Sequence, residues 1–510
     1  MLGIMAISLA SESTGEANTA PAAGSPRCSR SEKAGASLGS QGDAALFGVV
    51  CLVHFIVGAL YRELGGITIE PGPSFDWNAS WHLMPLDLLR GHLLKTLWYL
   101  HAQPPIHNFL CGIFIKLFYP GHIACMHYPQ IVLGALISGM TYVILRRFIG
   151  RRRPAFIVAL LLSLNPSLFL FEAQVAYDLL AAFWVTLSVF FLALFDTRKR
   201  LAYAGCFVLS LNALILTRSL FHPILLLGAI PIACVAAGGK WRPVLAAALI
   251  ISLSSTGWYL KNYLLFDTFA GSSWGGQNLW THVSANYDRK DLDQFIGAGV
   301  IDRTVLDVLV WHRPDAYRAY GFNAHSDIDA LSRNNFNNIN IVAISKMYLR
   351  NALRLMRHRP GHYLVNVAKA YRIFCLPTSR TDYVLENAAR MGLHESFVSQ
   401  ILQGQFYTGC LAPWFGNKDP FLSFWFFVLP ATFVAYAVYV SRRCGKSLDA
   451  WSEYLQTDAA MALAAVIILY TIIVGCTCDY GENGRFKFAV EPVLWPFVVG
   501  TAYRIFGRAP

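Results

Sequence analysis

The sequence predicts an all-α polytopic membrane protein, a bundle of about 10 transmembrane helices, and three observations carry that reading. The 510 residues are 55% hydrophobic and only 14% charged, and the mean hydropathy is +0.43, too apolar for an ordinary soluble globule. Apolar runs near the ~20 residues that cross a bilayer recur at 44–60, 128–146, 154–171, 179–195, 201–217, 219–237, 243–260, 421–440, 458–475 and 488–504. Basic clusters punctuate those runs: Arg146-Arg147 with Arg151-Arg152-Arg153, Arg198-Lys199-Arg200, Lys240 with Arg242, Arg442-Arg443 with Lys446, and Arg504 with Arg508. The net charge of +12 therefore reports topology; the basic residues are not interleaved with aromatics as on a nucleic-acid-binding face.

Placing every basic cluster in the cytosol orients the chain. The segment 104–118 is the one that resists, because a span there would turn every later cluster outward. It is short, opens on Pro104-Pro105 and carries Lys116, so it reads as a juxtamembrane helix lying on the outer surface. Both termini then lie inside. Residues 1–43, rich in Ser, Ala and Gly, read as a disordered cytosolic tail. Residues 44–260 form a transmembrane catalytic module whose first outside loop is 61–127, 261–420 is a large outside loop or small domain, and 421–510 holds the C-terminal transmembrane helices. A loop of that size is rarely a mere connector; its stretch 341–356 has helical periodicity, and Trp274, Trp280, Trp311 and Tyr317 mix with polar runs such as 334–338. Cys375, Cys410, Cys476 and Cys478 fall in outside loops where disulfides could form.

The residues suited to chemistry gather in those outside loops. Asp76 stands between aromatics in Phe75-Asp76-Trp77-Asn78 after the turn-forming Pro71-Gly72-Pro73; desolvation at a membrane surface raises a carboxylate's proton affinity toward that of a general base. Asp87 reads as a first-turn acid of a short helix and ranks below it. Glu172 and Asp178 lie where the third apolar run ends and the fourth begins. Ionisable groups at a bundle mouth line polar cavities, and a spacing of six places one toward the site and the other toward solvent. Arg218 and His222, in Thr217-Arg218-Ser219-Leu220-Phe221-His222-Pro223, are candidates to clamp a phosphate. Arg485 and Lys487 alternate with aromatics before the last apolar run, against the positive-inside trend, which an anionic ligand would explain; Asp479 and Glu482 would neutralise them in part. No cofactor is implied. A divalent metal finds no support either, since His82, His92, His101 and His107 lack ligand spacing and read as packing residues.

Taken together, an acid in the first outside loop, Gln103-Pro104-Pro105, Tyr177-Asp178 at the fourth run, a long loop after the seventh, and Arg485-Phe486-Lys487 before the last resemble the GT-C superfamily of integral-membrane glycosyltransferases, especially the branch with protein O-mannosyltransferases and lipid A aminoarabinose transferases. The resemblance covers 44–260 and about 475–504; the long loop matches in position only. It implies a sugar donor on polyprenyl or dolichyl phosphate, an unidentified acceptor, membrane lipids as the other partners and no nucleic acid. It also implies an active site facing the lumen of the endoplasmic reticulum or the bacterial periplasm. On that pattern Asp76 orients or deprotonates the acceptor, Asp178 (with Glu172 as understudy) is the second acid, Arg485 with Lys487 holds the donor phosphate, and Gln103 occupies a place where a histidine is often found. Family members often carry two adjacent acids where this chain has Asp76-Trp77. The rival reading is a transporter or flippase of a lipid-linked anion, which would also use membrane acids and a basic portal; the one-sided charges and the lack of an inverted repeat weigh against it.

Asn78-Ala79-Ser80 is a glycosylation sequon two residues from Asp76. A glycan there would crowd the site, so Asn78 is expected to stay unmodified; a mobility shift on deglycosylation that maps to Asn78 would remove Asp76 as the base.

Overall fold

A computed structural model describes residues 41–69, 82–308, 340–381, 384–402, 405–407 and 421–507. Asp76, Asn78, the tail through residue 40, Trp311, Tyr317, 334–338 and Cys410 lie outside the described residues. The helices are α1 (Gln41–Glu63), α2 (Leu86–Gly91), α3 (Leu93–Tyr99), α4 (Pro105–Phe118), α5 (His122–Ile149), α6 (Arg152–Ser163), α7 (Pro166–Glu172), α8 (Asp178–Arg198), α9 (Leu201–Ile215), α10 (Ile224–Ala236) and α11 (Trp241–Phe266). After them come α12 (Gly275–Ser284), α13 (Arg289–Gly297), α14 (Thr304–Asp307), α15 (Asn340–His358), α16 (Pro360–Cys375), α17 (Leu385–Met391), α18 (Leu393–Leu402), α19 (Trp425–Cys444), α20 (Leu448–Cys478) and α21 (Asn483–Phe506).

The described residues are helical apart from one short antiparallel pair, Gln405–Tyr407 with Phe421–Ser423, which departs from the all-α expectation. Six helices, α1, α5, α8, α11, α19 and α20, are long and apolar enough to cross a membrane, and α6 with α7 makes a seventh if that bent pair is one span. The other expected spans fall on α9 and α10, of 15 and 13 residues, and on α21, which carries Arg485, Lys487 and Glu491 with two internal prolines. Length and charge hold these three below the threshold that the apolar runs alone suggested. The 49° bend between α6 and α7 has a local cause. Pro166 disfavours helix at the residue before it, and the Asn165 side chain caps the new helix by accepting from the Ser167 N–H at 3.1 Å.

Charge orders the bundle along its axis. Asp458 sits at a kink in α20 (φ −133°) and pairs with Arg147, Arg443 and Arg504, while Asp43 pairs with Arg146 and Arg152. Lys199 donates to the carbonyls of Ala236 and Gln456. Basic clusters far apart in sequence thus share one end. Helix α8 runs from Asp178 to Arg198, roughly 30 Å, so Asp178 is carried to the other end.

Of the four hydrophobic clusters among the described residues, three shape the region around α8 and the loops. The largest surrounds α8, whose residues are buried on nearly every side, and includes α5, α9, α20 and α21. A second joins Trp274, Trp280, Phe295, Ile344, Tyr348 and Leu355 from the late loop. A third joins Leu83, Leu89, Leu93, Leu97, Cys111 and Ile115, which packs α4 on the short helices α2 and α3 and leaves Phe109, Leu117 and Phe118 exposed. Cys375, Cys476 and Cys478 are free thiols.

At the contact of α12 with α15 the Gly276 N–H donates to Ser345 Oγ at 2.9 Å, and a Cβ at Gly276 would run into the Ser345 backbone carbonyl. Gly276→Ala is expected to destabilise this outer helical layer by about 1–3 kcal/mol through overpacking, read as a lowered thermal midpoint in detergent with helix content unchanged.

Candidate active site

Three turns and helix ends converge at the end of the bundle opposite the basic clusters. Asp178 opens α8 after the short loop from α7. Arg218 follows α9, its N–H held by the Leu214 carbonyl at 3.1 Å. The turn before α21 is closed by Asn483, which donates to the Gly475 carbonyl at 2.9 Å and accepts from the Gly481 N–H at 3.2 Å. Gly481 has φ +114°, a conformation that side chains rarely adopt. This turn delivers Arg485 into the bundle.

Asp178, Arg218 and Arg485 are all buried, at 1%, 2% and 1% exposure. Arg485 donates through Nε at 3.1 Å and Nη2 at 2.7 Å to Asp178 Oδ2, and Arg218 Nη1 donates to Oδ1 of the same carboxylate. Arg218 Nη1 also reaches the Arg485 carbonyl at 3.3 Å. Arg485 Nη1 donates to Glu482 at 3.0 Å, so the predicted neutralisation by Glu482 is present. The Arg218 guanidinium lies 5.1 Å from the Tyr177 ring centre and 4.9 Å from that of Phe486, and Arg485 lies 5.6 Å from Tyr177, geometries in which aromatic faces support desolvated cations. Arg218 Nη2 has no hydrogen-bond partner among the described residues. Asp479, in the turn, has its carboxyl pushed up to about 7 by burial and by the Glu482 charge beside it. With Asp178 and Glu482 against Arg218 and Arg485, the ionised groups nearly cancel, and the spare donor is on Arg218.

The first outside loop is clamped on both sides of its undescribed stretch. Asn387 of α17 accepts from the Thr68 N–H at 3.3 Å and donates to the Thr68 carbonyl at 2.7 Å. Asn108 of α4 accepts from the Met84 N–H at 2.8 Å and donates to the His82 carbonyl at 3.0 Å. The His82 ring stands edge-on to Tyr177, centroids 4.8 Å apart. Burial, with the Arg485 charge adding to it, holds His82 neutral with a pKa lowered to about 3. The described end of this loop, at His82, therefore lies against Tyr177, the residue before Asp178. Gln103 belongs to a strap fastened nearby: the Ile106 N–H donates to the Leu216 carbonyl at 3.0 Å, just before Arg218, and Gln103 Oε1 is buried without a hydrogen-bond partner among the described residues.

Other sequence expectations are placed differently. Glu172 and Asp178 are both 1% exposed, so neither faces solvent; the break between α7 and α8 lets each turn inward, and Glu172 meets His54 at 2.5 Å. Lys487 does not stand beside Arg485. Two residues along a helix rotate it by about 200°, and its Nζ donates to the Leu376 carbonyl at 2.7 Å. His222 is exposed, edge-on to Tyr259 at 5.0 Å, with its N–H on the Tyr470 hydroxyl. Asp87 is an exposed acid in the first turn of α2. Sequence reading did not single out His54, because a lone histidine in an apolar run carries no spacing signal, and it read His82 as a packing residue, as its edge-on contact with Tyr177 has it. Among the described residues no three His, Cys, Asp or Glu side chains form a metal-holding group.

No family model and no curated protein matches the chain. Solved structures of two proteins align with the chain at low similarity. ArnT, a lipid A aminoarabinose transferase, from Cupriavidus metallidurans bound to undecaprenyl phosphate aligns at 15% identity over 90% of this chain and 78% of its own, with a TM-score of 0.32. The apo form of that protein aligns at 15% identity over 90% and 77%, with a TM-score of 0.30. The oligosaccharyltransferase of Archaeoglobus fulgidus aligns at 13% identity over 89% of this chain and 49% of its own, with a TM-score of 0.37.

Removing the central charge tests the cluster's architecture. Asp178→Asn leaves two buried guanidiniums without their shared carboxylate and is expected to cost about 3–5 kcal/mol, measured as a lowered midpoint of unfolding in detergent, whereas Asp87→Asn leaves the midpoint unchanged.

Proposed function

We propose that the chain is an integral-membrane glycosyltransferase that moves a sugar from a polyprenyl- or dolichyl-phosphate donor to an acceptor hydroxyl, with inversion. The observation that carries this reading is the buried Arg218 guanidinium, fixed by Asp178 and flanked by Tyr177 and Phe486, with Nη2 left to give. A rigid, desolvated fork of N–H donors suits a phosphate oxygen. Its place at the end of the bundle away from the basic clusters makes the reaction lumenal or periplasmic under the positive-inside rule.

In the proposed step the acceptor oxygen forms a bond to the anomeric carbon while the bond from that carbon to the phosphate oxygen breaks. The electron pair leaves on the phosphate, and the acceptor proton passes to Asp76 as general base. Arg218 and Arg485 are already ordered before charge develops on the leaving group, so little reorganisation opposes the transition state. Asp178 acts here as the post that aims both guanidiniums; both its oxygens are engaged, which leaves it little capacity to hold sugar hydroxyls. Neutral His82 adds no charge of its own beside them. Phosphate seating thus moves from the Arg485 and Lys487 pair suggested by sequence to Arg218 with Arg485.

The test is transfer by purified, lipid-reconstituted protein from radiolabelled polyprenyl-phosphate sugars to a panel of acceptors. Asp76→Asn and Arg218→Met are each expected to lower kcat by roughly 10²-fold or more, with Lys487→Met far milder. If both site variants transfer like the native chain the assignment fails, and transfer that requires a nucleotide sugar would remove the lipid-linked donor.

A further inference from the structure

His54 and Glu172 are fully buried, at 0% and 1% exposure, and nothing in the proposed step uses them. His54 lies on α1 and Glu172 is the last residue of α7. His54 Nδ1 is 2.7 Å from the Ser163 carbonyl and 3.2 Å from Ser138 Oγ, and Nε2 is 2.5 Å from Glu172 Oε1. The Phe169 ring stacks on the imidazole at 4.6 Å. Gly134 of α5 lies so close that a Cβ there would run into the Glu172 carboxyl, and Gly58 of α1 flanks the same group. Two helices thus carry glycine where the carboxyl passes.

The tautomer follows from the partners. A backbone carbonyl only accepts, so Nδ1 carries a proton and donates to Ser163. If the ring is neutral, Nε2 can then only accept. A carboxylate also only accepts. At 2.5 Å one proton must therefore lie between Nε2 and Oε1, whichever atom formally owns it. The pair is neutral as a whole, which is the form least penalised by burial in an apolar bundle.

We infer that His54 and Glu172 form a proton-sharing strut that bridges α1 to both sides of the α6–α7 break and thereby positions the loop carrying Tyr177 and Asp178. The strut rests on the proposed transfer reaction for its catalytic consequence and on geometry alone for its proton. Ser163 closes α6, the Asn165-Pro166 step breaks the helix, and Glu172 closes α7; His54 reaches across to the first and last of these. Only the five-residue loop 173–177 then separates Glu172 from Asp178, and Gln130 of α5 fixes its middle by donating to the Gln174 carbonyl at 2.8 Å. Glu172 is accordingly a positioning residue, not the second catalytic acid. The other groups that face the pair are Ser138 from α5, Ser163 from α6 and Phe169 from α7; beyond Phe169 stand Tyr61 of α1 and His394 of α18.

Proton counting tests the strut without any assay of transfer. Above pH ~7 a histidine and a glutamate in an unfolded chain hold no proton between them, whereas the shared contact of the folded pair holds one. The pair's contribution is complete below the unfolded histidine value and is lost as pH rises, about tenfold in the folding equilibrium constant per pH unit. In Glu172→Gln the amide donates to neutral Nε2, and neither state of the pair changes protonation in that range. Reversible unfolding of the full chain in mixed micelles is expected to show the native folding constant falling, between pH 7 and 9, by about a hundredfold more than that of Glu172→Gln; equal slopes would overturn the inference. In the transfer assay Glu172→Gln is expected to stay within about threefold of native, while Glu172→Ala and His54→Phe lose kcat by roughly 10²-fold with donor KM little changed. A Gln variant as inactive as the Ala variant would make the carboxyl itself catalytic and sink the positioning role. If the native chain transfers from no lipid-phosphate donor, the proposed function falls, and the unfolding slopes still decide the strut.

Discussion

Everything at the upper end of this bundle depends on one carboxylate shared by two guanidiniums. Burying Asp178 by itself would cost several kcal/mol, and burying Arg218 or Arg485 alone would cost as much. Held together, the three tie α8, the turn after α9 and the start of α21, which are up to 307 residues apart in sequence. Such a knot is weak evidence for net stability, since apolar replacements can pack as well. Its value lies in direction: it aims an arginine that still has a donor to offer.

A complementary arrangement governs the opposite end. Asp458 gathers Arg147, Arg443 and Arg504, and Asp43 gathers Arg146 and Arg152, so these basic residues brace the helix ends on which they lie. Between the two ends α8 is apolar and buried on nearly all sides. The site can therefore hold charge without competing with the charges that orient the chain, because roughly 30 Å of low-dielectric helix separates them.

The outer layer supplies the remaining constraints. The first outside loop is held at Thr68 by Asn387 and at His82 and Met84 by Asn108, side chains whose paired donor and acceptor satisfy backbone groups in a connection without a ladder of its own. One clamp comes from the late loop and the other from the surface helix α4. The late loop is therefore no isolated appendage, because its Asn387 holds the backbone at Thr68.

Sequence alone was enough to identify a polytopic helical membrane protein and to single out Asp178, Arg218 and Arg485, which the folded chain brings into one buried cluster. These are properties of span length, charge side and the cost of ionisable groups in lipid, and each is legible residue by residue. It misjudged Lys487, which looked like Arg485's companion because aromatic alternation reads like a strand, whereas the helix turns the two side chains apart. It also left Glu172 and Asp178 as alternatives on one short loop, while the folded chain gives each its own partner: Asp178 two arginines from the second and last parts of the chain, and Glu172 a histidine from the first helix. Hydropathy counts residues along a line. Which buried charge meets which is decided only when helices distant in sequence pack side by side, because a desolvated ion selects its partner by contact and not by spacing.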